Sequence, residues 1–220
     1  MKLDLHIHST FSRDGTATPE DIIAFAVKNG LDGIAITDHN AIGGSLRAFA
    51  LAPRAGFIIV RGVEISAMEG HVLAYGVADP IPKGRPIADT IEKVHSVGGI
   101  AVAAHPKRFP SGMGLKAAKA AKFDAIEVLN GGSSRRDNAL ARRMADKKRS
   151  PVTAGSDAHE IESVGKSFTI VESASTEEDV LECIRRGRTQ IGGRSRSRSE
   201  GARYSIETLI EWLRGDFKRL

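Results

Sequence analysis

Two short dyads carry the strongest chemical signal in this sequence: His6-Ile7-His8 near its start and Asp157-Ala158-His159 far downstream. Side chains alternate along a strand, so each dyad would point both polar groups to one face, with Leu5 and Ile7 on the other. Two imidazoles that close on a buried strand need a partner for their lone pairs, and a divalent cation is one. A pair of hydrogen-bonded core histidines is the other reading of either dyad alone. Groups of the same kind stand at Asp38-His39, Glu64, His71 and His105. Gathered in one place, they would make a metal centre.

Whether they meet depends on the elements that carry them. Seven apolar runs, 3–8, 33–38, 57–64, 71–77, 99–105, 124–129 and 151–157, are bounded by turn-forming residues and predict buried strands. Thr18-Pro19-Glu20-Asp21 predicts a capped helix that stops at Gly30. Residues 86–97, 134–147 and 176–186 predict further helices, the last opened by a capping box of Ser175 and Glu178. Strands alternating with helices predict parallel pairing with right-handed crossovers. Periodicity leaves an open sheet and a closed barrel equally available. His6, His8, Asp38, His39, Glu64, His105, Asp157 and His159 all fall at the C-terminal ends of these runs, and His71 opens the fourth. In parallel α/β folds those ends share one rim, where sites are built.

Composition narrows the class. With 220 residues, 41% hydrophobic and 27% charged, the chain fits one large globular domain and not a disordered one. No apolar run nears the roughly 18–20 residues of a membrane span. An acid and a histidine within the first six residues argue against a signal peptide. The single cysteine, Cys183, excludes an intrachain disulfide and a Cys-rich zinc module, so a cytoplasmic location is expected. The formal charge is +5, and residues 194–220, with seven Lys or Arg against four acids, carry +3 of it. Arg194-Ser195-Arg196-Ser197-Arg198 could contact a phosphate backbone, or serve as a solvated linker.

Six segments, taken in order, resemble the motifs of the PHP (polymerase and histidinol phosphatase) superfamily. They are His6-Ile7-His8-Ser9, Ser12-Arg13-Asp14-Gly15, Ile36-Thr37-Asp38-His39-Asn40, Gly62-Val63-Glu64-Ile65-Ser66, Ala104-His105-Pro106 and Gly155-Ser156-Asp157-Ala158-His159. The resemblance covers about residues 2–190. It implies an α/β fold, a distorted seven-stranded (β/α)7 TIM-like barrel with a metal site at its C-terminal rim. The barrel would span 1–191, followed by a basic Gly/Arg/Ser linker at 192–203 and a C-terminal helix at 204–220 packed on the barrel. The resemblance also implies a trinuclear centre: His6, His8, Glu64 and Asp157 for one metal, Glu64, His71 and His105 for a second, Asp14, His39 and His159 for a third. Six imidazoles and three carboxylates without a thiolate suit zinc, manganese or iron. Metals sharing Glu64 can hold water as hydroxide and neutralise phosphoryl oxygens during in-line attack. The expected activity is therefore that of a metal-dependent phosphoesterase, with Glu64, Asp157 and His159 in the catalytic group.

Other residues fall into place around these. Asp38 could orient a neighbouring imidazole or act as a loop acid. Arg13, Lys107 and Arg108 flank ligand motifs, where cations beside phosphate are expected, and Arg13 is grouped with catalysis. Asn130-Gly131-Gly132 ends the sixth run, with Arg135 and Arg136 opening the next helix; backbone amides there could cradle a phosphate or simply form a turn. His95 and Cys183 read as surface or packing residues, and Trp212 and Phe217 as anchors of the terminal helix. The expected partner is a small phosphorylated substrate such as a nucleotide, nucleoside bisphosphate or sugar phosphate. The alternative is an exonuclease acting from the 5′ end of short oligonucleotides. An RNA-binding role like that of the barrel-fold RNase P protein subunit is disfavoured, because that relative has lost the ligands this sequence retains. No polymerase domain fits within 220 residues.

Overall fold

The structure, a computed structural model, describes residues 1–52, 56–197 and 199–202. The order is β1 (Lys2–Ile7), α1 (Pro19–Lys28), β2 (Gly33–Ile36), α2 (Gly43–Ala50), β3 (Ile58–Ile59), β4 (Gly62–Ala67) and β5 (Gly70–Tyr75). Then come α3 (Ile87–Ser96), β6 (Ile100–Ala103), α4 (Gly114–Ala120), β7 (Ala125–Asn130), α5 (Arg135–Lys148) and β8 (Val152–Gly155). A 3-10 turn (Ile161–Ser163), β9 (Ser167–Val171), α6 (Glu177–Arg185) and β10 (Thr189–Gly193) complete it. The expected terminal helix, with Trp212 and Phe217, and Arg198, the last residue of the basic stretch, lie outside the described residues.

A single seven-stranded TIM-like barrel does not form. The strands make two mixed sheets of five, in the orders β10-β9-β1-β2-β3 and β4-β5-β6-β7-β8. Between the sheets run only isolated bridges, Ile7 to Ala158 and His39 to Glu64, so no continuous ladder closes a ring among the described residues. The run 57–64 breaks at Val60-Arg61 into β3 and β4, which belong to different sheets. Only Met68 and Glu69 separate β4 from β5. A connection that short permits a hairpin and forbids a parallel crossover, so β4 and β5 pair antiparallel. At the turn Gly70 has φ 148°, and a Cβ there would lie 2.4 Å from the Met113 nitrogen, so glycine is required.

The core is layered. Leu3, Leu5 and Ala35 of the first sheet meet Leu73, Tyr75 and Val102 of the second. The Tyr75 hydroxyl crosses this layer to donate to the Leu5 carbonyl at 2.7 Å. Outside the first sheet, Ile22, Ile23 and Ala26 of α1 and Ala48 of α2 cover Ile34 and Ile36. Outside the second, Ile87, Ile91 and Val94 of α3 and Met144 and Ala145 of α5 cover Val72, Ala74 and Ile126. Simple alternation fails in β1. Its register against β2 shifts between Asp4 and Ile7, and Leu5 and Ile7 fall in different clusters.

Thr18 caps α1 as expected, accepting from the Asp21 amide. The capping box of α6 sits one residue beyond Ser175 and Glu178: Thr176 and Asp179 form it, because the Asp179 carboxylate accepts from the amides of both Ser175 and Thr176.

Asp4 is a buried strap between β1 and the far end of the chain. Its carboxylate accepts from the amides of Ser156 at 2.8 Å and Gly165 at 2.7 Å. Asp4→Ala strands those donors in the interior, at about 1–3 kcal/mol each. A urea midpoint lowered to match is expected; an unchanged midpoint would mean that water replaces the carboxylate.

Candidate metal centre

Each ligand-type residue reaches the centre by a local device. β1 delivers His6 and, just past its end, His8. Gly155 of β8 lets the strands close, since a Cβ there would lie 2.4 Å from the His6 Cβ. The hairpin sets Glu64 opposite Leu73 and Ser66 opposite His71, so Glu64 and His71 are diagonal neighbours on one face. Non-glycine residues with left-handed backbone are uncommon, yet Asn40 (φ 55°), His105 (φ 23°) and Asp157 (φ 54°) all have it here. Each is pinned by a hydrogen bond: Asn40 N to the Glu64 carbonyl, His105 N to Glu127 and Asp157 N to the His6 carbonyl, all at 2.8 Å. Such conformations cost roughly 1–3 kcal/mol each and concentrate where side-chain aim matters.

Glu64 occupies the middle. Its Oε1 lies 3.0 Å from His71 Nδ1 and 2.9 Å from His105 Nε2. Its Oε2 lies 3.4 Å from His6 Nε2, 3.3 Å from His8 Nε2 and 3.1 Å from His39 Nδ1. Asp157 Oδ1 lies 3.5 Å from His6 Nε2 and 3.3 Å from His8 Nε2. Asp14 Oδ2 lies 3.0 Å from His159 Nε2 and 3.4 Å from His39 Nε2.

These atoms fit a metal better than they fit one another. Six of the seven buried side-chain polar atoms without a hydrogen-bond partner among the described residues are His6 Nε2, His8 Nε2, Asp14 Oδ1, His39 Nδ1, Glu64 Oε2 and His105 Nδ1. Orphaned buried polar atoms are rare. The separations of 3.3–3.5 Å among His6, His8, Glu64 and Asp157 match the edges of a tetrahedron around an ion with bonds of about 2.0–2.1 Å.

Charge is correspondingly polarised. Burial opposes charging of His6, but Glu127, Asp157 and Glu64 outweigh it and raise its pKa well above the ordinary value. His8 is also buried, yet Asp157 and Glu64 carry it to about 9. His71 rises for the same reason, against its burial. Glu64 and Asp157 are held well below the carboxylate range despite burial, Glu64 by the imidazoles, Asp157 by Arg108 and His6. His159 is lowered by burial and by His8.

Two residues unnoticed in the sequence hold the arrangement. Glu127 of β7, buried, lies 2.9 Å from His6 Nδ1 and accepts from the Asn130 side chain at 3.0 Å as well as from His105 N. It fixes a proton on Nδ1 and leaves Nε2 facing the centre. The signal was present: Glu127 is the one charged residue in the apolar run Ala125–Leu129. Asn40 braces Ser66, accepting from its amide at 2.8 Å and donating to its hydroxyl at 3.0 Å. Glu127→Ala is expected to weaken metal binding about 10–100-fold in a chelator competition. Undiminished affinity would remove Glu127 from this role.

The remaining expected site residues divide. Arg13 and Arg108 line a cavity of about 850 Å3 over the centre, together with Lys83, Lys166 and Arg196. Arg108 donates to Asp157 Oδ2, which also accepts from the Asn130 side chain at 3.2 Å. Asn130 is thus buried beneath the site, supporting it. Lys107 is exposed and does not line the cavity, and Arg135 lines a neighbouring cleft instead. Of the Asn130-Gly131-Gly132 amides, Asn130 N donates to Asn138 Oδ1 at 3.2 Å and Gly131 N to the Gly155 carbonyl at 3.0 Å, so neither is available to cradle a phosphate. Asp38 bonds no imidazole: its carboxylate accepts from Ser9 N and Oγ, both at 2.7 Å, and from Ser12 Oγ at 2.8 Å, fixing the turn that carries Arg13 and Asp14. His95 lies 2.7 Å from Asp124, and Cys183 is packed in the core, both as expected.

Comparison with known proteins agrees with this geometry. A PHP domain model matches residues 4–129, and a PHP-associated model matches 135–189. An uncharacterised protein of Methanocaldococcus jannaschii is 38% identical over 116 residues, covering 48% of this chain and 68% of that protein. The phosphoribosyl 1,2-cyclic phosphate 1,2-diphosphodiesterase of Eggerthella lenta is 34% identical over 100 residues, covering 42% of this chain but only 38% of that enzyme. Among solved structures, a two-domain protein of Bacteroides vulgatus, described as containing a predicted PHP-like metal-dependent phosphoesterase, superposes with a TM-score of 0.71 at 22% identity. That match covers 88% of this chain and 65% of the other, and shows a shared fold. Because the PHP domain match spans more than half of its residues, the chain belongs to the PHP family, whose phosphoesterase members are hydrolases acting on phosphoester bonds.

Proposed function

We propose that the chain hydrolyses phosphate esters of small molecules at a centre of up to three divalent ions, of zinc, manganese or iron. His6, His8, Glu64 and Asp157 would hold the first, Glu64, His71 and His105 the second, and Asp14, His39 and His159 the third. The observation that supports this most is the set of orphaned buried atoms at the centre, where His6 Nε2, His8 Nε2 and His39 Nδ1 all face Glu64 Oε2 at 3.1–3.4 Å. Bound there, such ions lower the pKa of water to give a nucleophile at neutral pH and neutralise phosphoryl charge.

The chain's own groups prepare that chemistry. Glu64 turns one oxygen toward His71 and His105 and the other toward His6, His8 and His39. Arg108 and Asn130 hold Asp157 Oδ2, which leaves Oδ1 to face His6 and His8. Glu127 holds the His6 ring in one tautomer. Arg13, Lys83 and Lys166 place positive charge around the cavity and draw in a phosphate anion. Arg13→Ala is expected to raise KM about tenfold, equivalent to about 1.5 kcal/mol of a charge-assisted contact. Unchanged kinetics would remove Arg13 from the site.

The deciding experiment is a screen of the metal-replete protein against phosphomonoesters, phosphodiesters, bisphosphates and short oligonucleotides. Metal-dependent turnover of a small ester is expected. Turnover confined to oligonucleotides would favour the exonuclease reading, which the arginine-lined cleft beside the cavity also supports. Activity in a protein stripped of metal would sink the mechanism. None of the described helices is long and apolar enough to cross a membrane.

A further inference from the structure

A second cleft adjoins the metal-ligand cavity on the α5 side. Five arginines line it, Arg108, Arg135, Arg136, Arg143 and Arg196, against one acid, Asp137, a balance of +4. Asp137 is committed to the helix cap, where the Ser134 hydroxyl donates to its carboxylate at 2.6 Å. Arg136 and Arg143 are seven residues apart on α5 and share one face of it. Arg135, Arg136 and Arg143 are solvent-exposed, and Phe109, which also lines the cleft, is 94% exposed.

The cleft and the cavity are neighbours that share Arg108 and Arg196 in their linings. Arg108 is fixed there by its ion pair with Asp157. Arg196 is fixed by donating to the Gly132 carbonyl and by the bridge between its backbone and Ser134. Guanidinium groups bind phosphate through paired N–H donors. An exposed aromatic ring beside such a groove suits stacking of a base. A single phosphate ester held at the metal ligands would leave all of this unused.

We propose that the cleft is a second phosphate subsite, which holds another phosphate of the molecule whose first phosphate lies at the metal ligands. The substrate class is then one with at least two phosphates: a nucleoside bisphosphate or a short single-stranded oligonucleotide. The inference rests on the reading of the centre as hydrolytic, but binding tests it separately from turnover.

The test is calorimetric binding to the metal-loaded protein of non-hydrolysable phosphonate analogues of adenosine 5′-monophosphate, adenosine 3′,5′-bisphosphate and a 5′-phosphorylated hexa-adenylate. Wild type is compared with Arg136→Glu/Arg143→Glu and, as a milder change, Arg136→Gln/Arg143→Gln. In the charge-reversed protein the two-phosphate ligands are expected to lose at least ten times more affinity than the monophosphate. The salt slope of their binding should flatten by about two, one for each lost contact. A hexamer that binds tighter than the bisphosphate assigns the cleft to a nucleotide chain; equal binding assigns it to the small molecule. Equal losses for mono- and bisphosphate in both variants would overturn the subsite. Hydrolysis of the unmodified bisphosphate and hexamer by the metal-loaded protein is scored in parallel. Absence of turnover of both, with bisphosphate selectivity intact, would sink the hydrolytic reading and leave the subsite standing.

Discussion

Asp157→Ala is expected to abolish phosphoester hydrolysis and to strip metal from the centre, with the fold retained. Asp157 is the side chain on which the most functions converge. Its Oδ1 stands 3.3 Å from His8 Nε2 and 3.5 Å from His6 Nε2, while its Oδ2 is gripped by Arg108 and Asn130. Truncation removes a candidate ligand and leaves Arg108 beside the imidazoles without the carboxylate that balances it. Loss of a residue that merely supports a ligand costs about 10–100-fold in affinity or activity, so loss of a ligand should exceed that. Elemental analysis should show less metal per chain, and circular dichroism an unaltered fold. Asp157→Asn, which keeps the shape and two hydrogen bonds, should show the same loss. Normal metal content and turnover in Asp157→Asn would take Asp157 out of the centre.

Metal should also be the largest single stabiliser of this chain. An ion at 100 times its Kd adds about 2.7 kcal/mol per site, which for a protein of this size is a rise of roughly 5–10 °C in Tm. The pH dependence follows from the polarised charges. Glu64, Asp157 and Asp14 have lowered pKa values, so their contribution is present above the ordinary carboxylate range and lost in acid. His6, His8 and His71 have raised values, so their contribution is complete below about 6.5 and lost as the pH climbs, through about 9 for His8. His159, with a lowered value, offsets part of this on the acid side. The metal-free protein should therefore be most stable in mild acid and weaken toward pH 9. A metal requires neutral imidazoles, so its binding releases protons and strengthens as pH rises. Saturating metal should move the stability maximum to neutral pH or above. Melting curves from pH 5 to 9, with chelator and with metal, check this. A metal-free Tm that climbs from pH 6.5 to 9, or one that metal leaves unmoved, would contradict it.

The centre was far more legible than the fold that carries it. Ligand-type residues are scarce and chemically distinctive, so His6, His8, His39, Glu64, His105, Asp157 and His159 stand out at the ends of apolar runs. The structure brings all of them together, with Asp14 and His71. Glu127 was overlooked because a single acid inside Ala125–Leu129 does not interrupt the pattern of a buried strand. Sequence left Asp38 with two readings because adjacency to His39 says nothing of direction; its carboxylate faces Ser9 and Ser12, as a loop acid.

The amino-acid sequence by itself determined which residues could ligate, that most of them stand at or just past the ends of buried strands, and where α1, α3, α5 and α6 lie. These depend on residue chemistry and on local periodicity. Only the tertiary structure decided strand direction, sheet membership and the partners of each polar atom. A two-residue turn makes β4 and β5 a hairpin, and β9 and β10, 5 residues each, extend the first sheet beyond β1 as an antiparallel pair that their half-buried sequences did not announce. The result is two five-stranded sheets in place of a ring. Pairing is a long-range choice, settled by which faces can be buried together and which backbone groups remain to be satisfied. Local pattern holds no record of it.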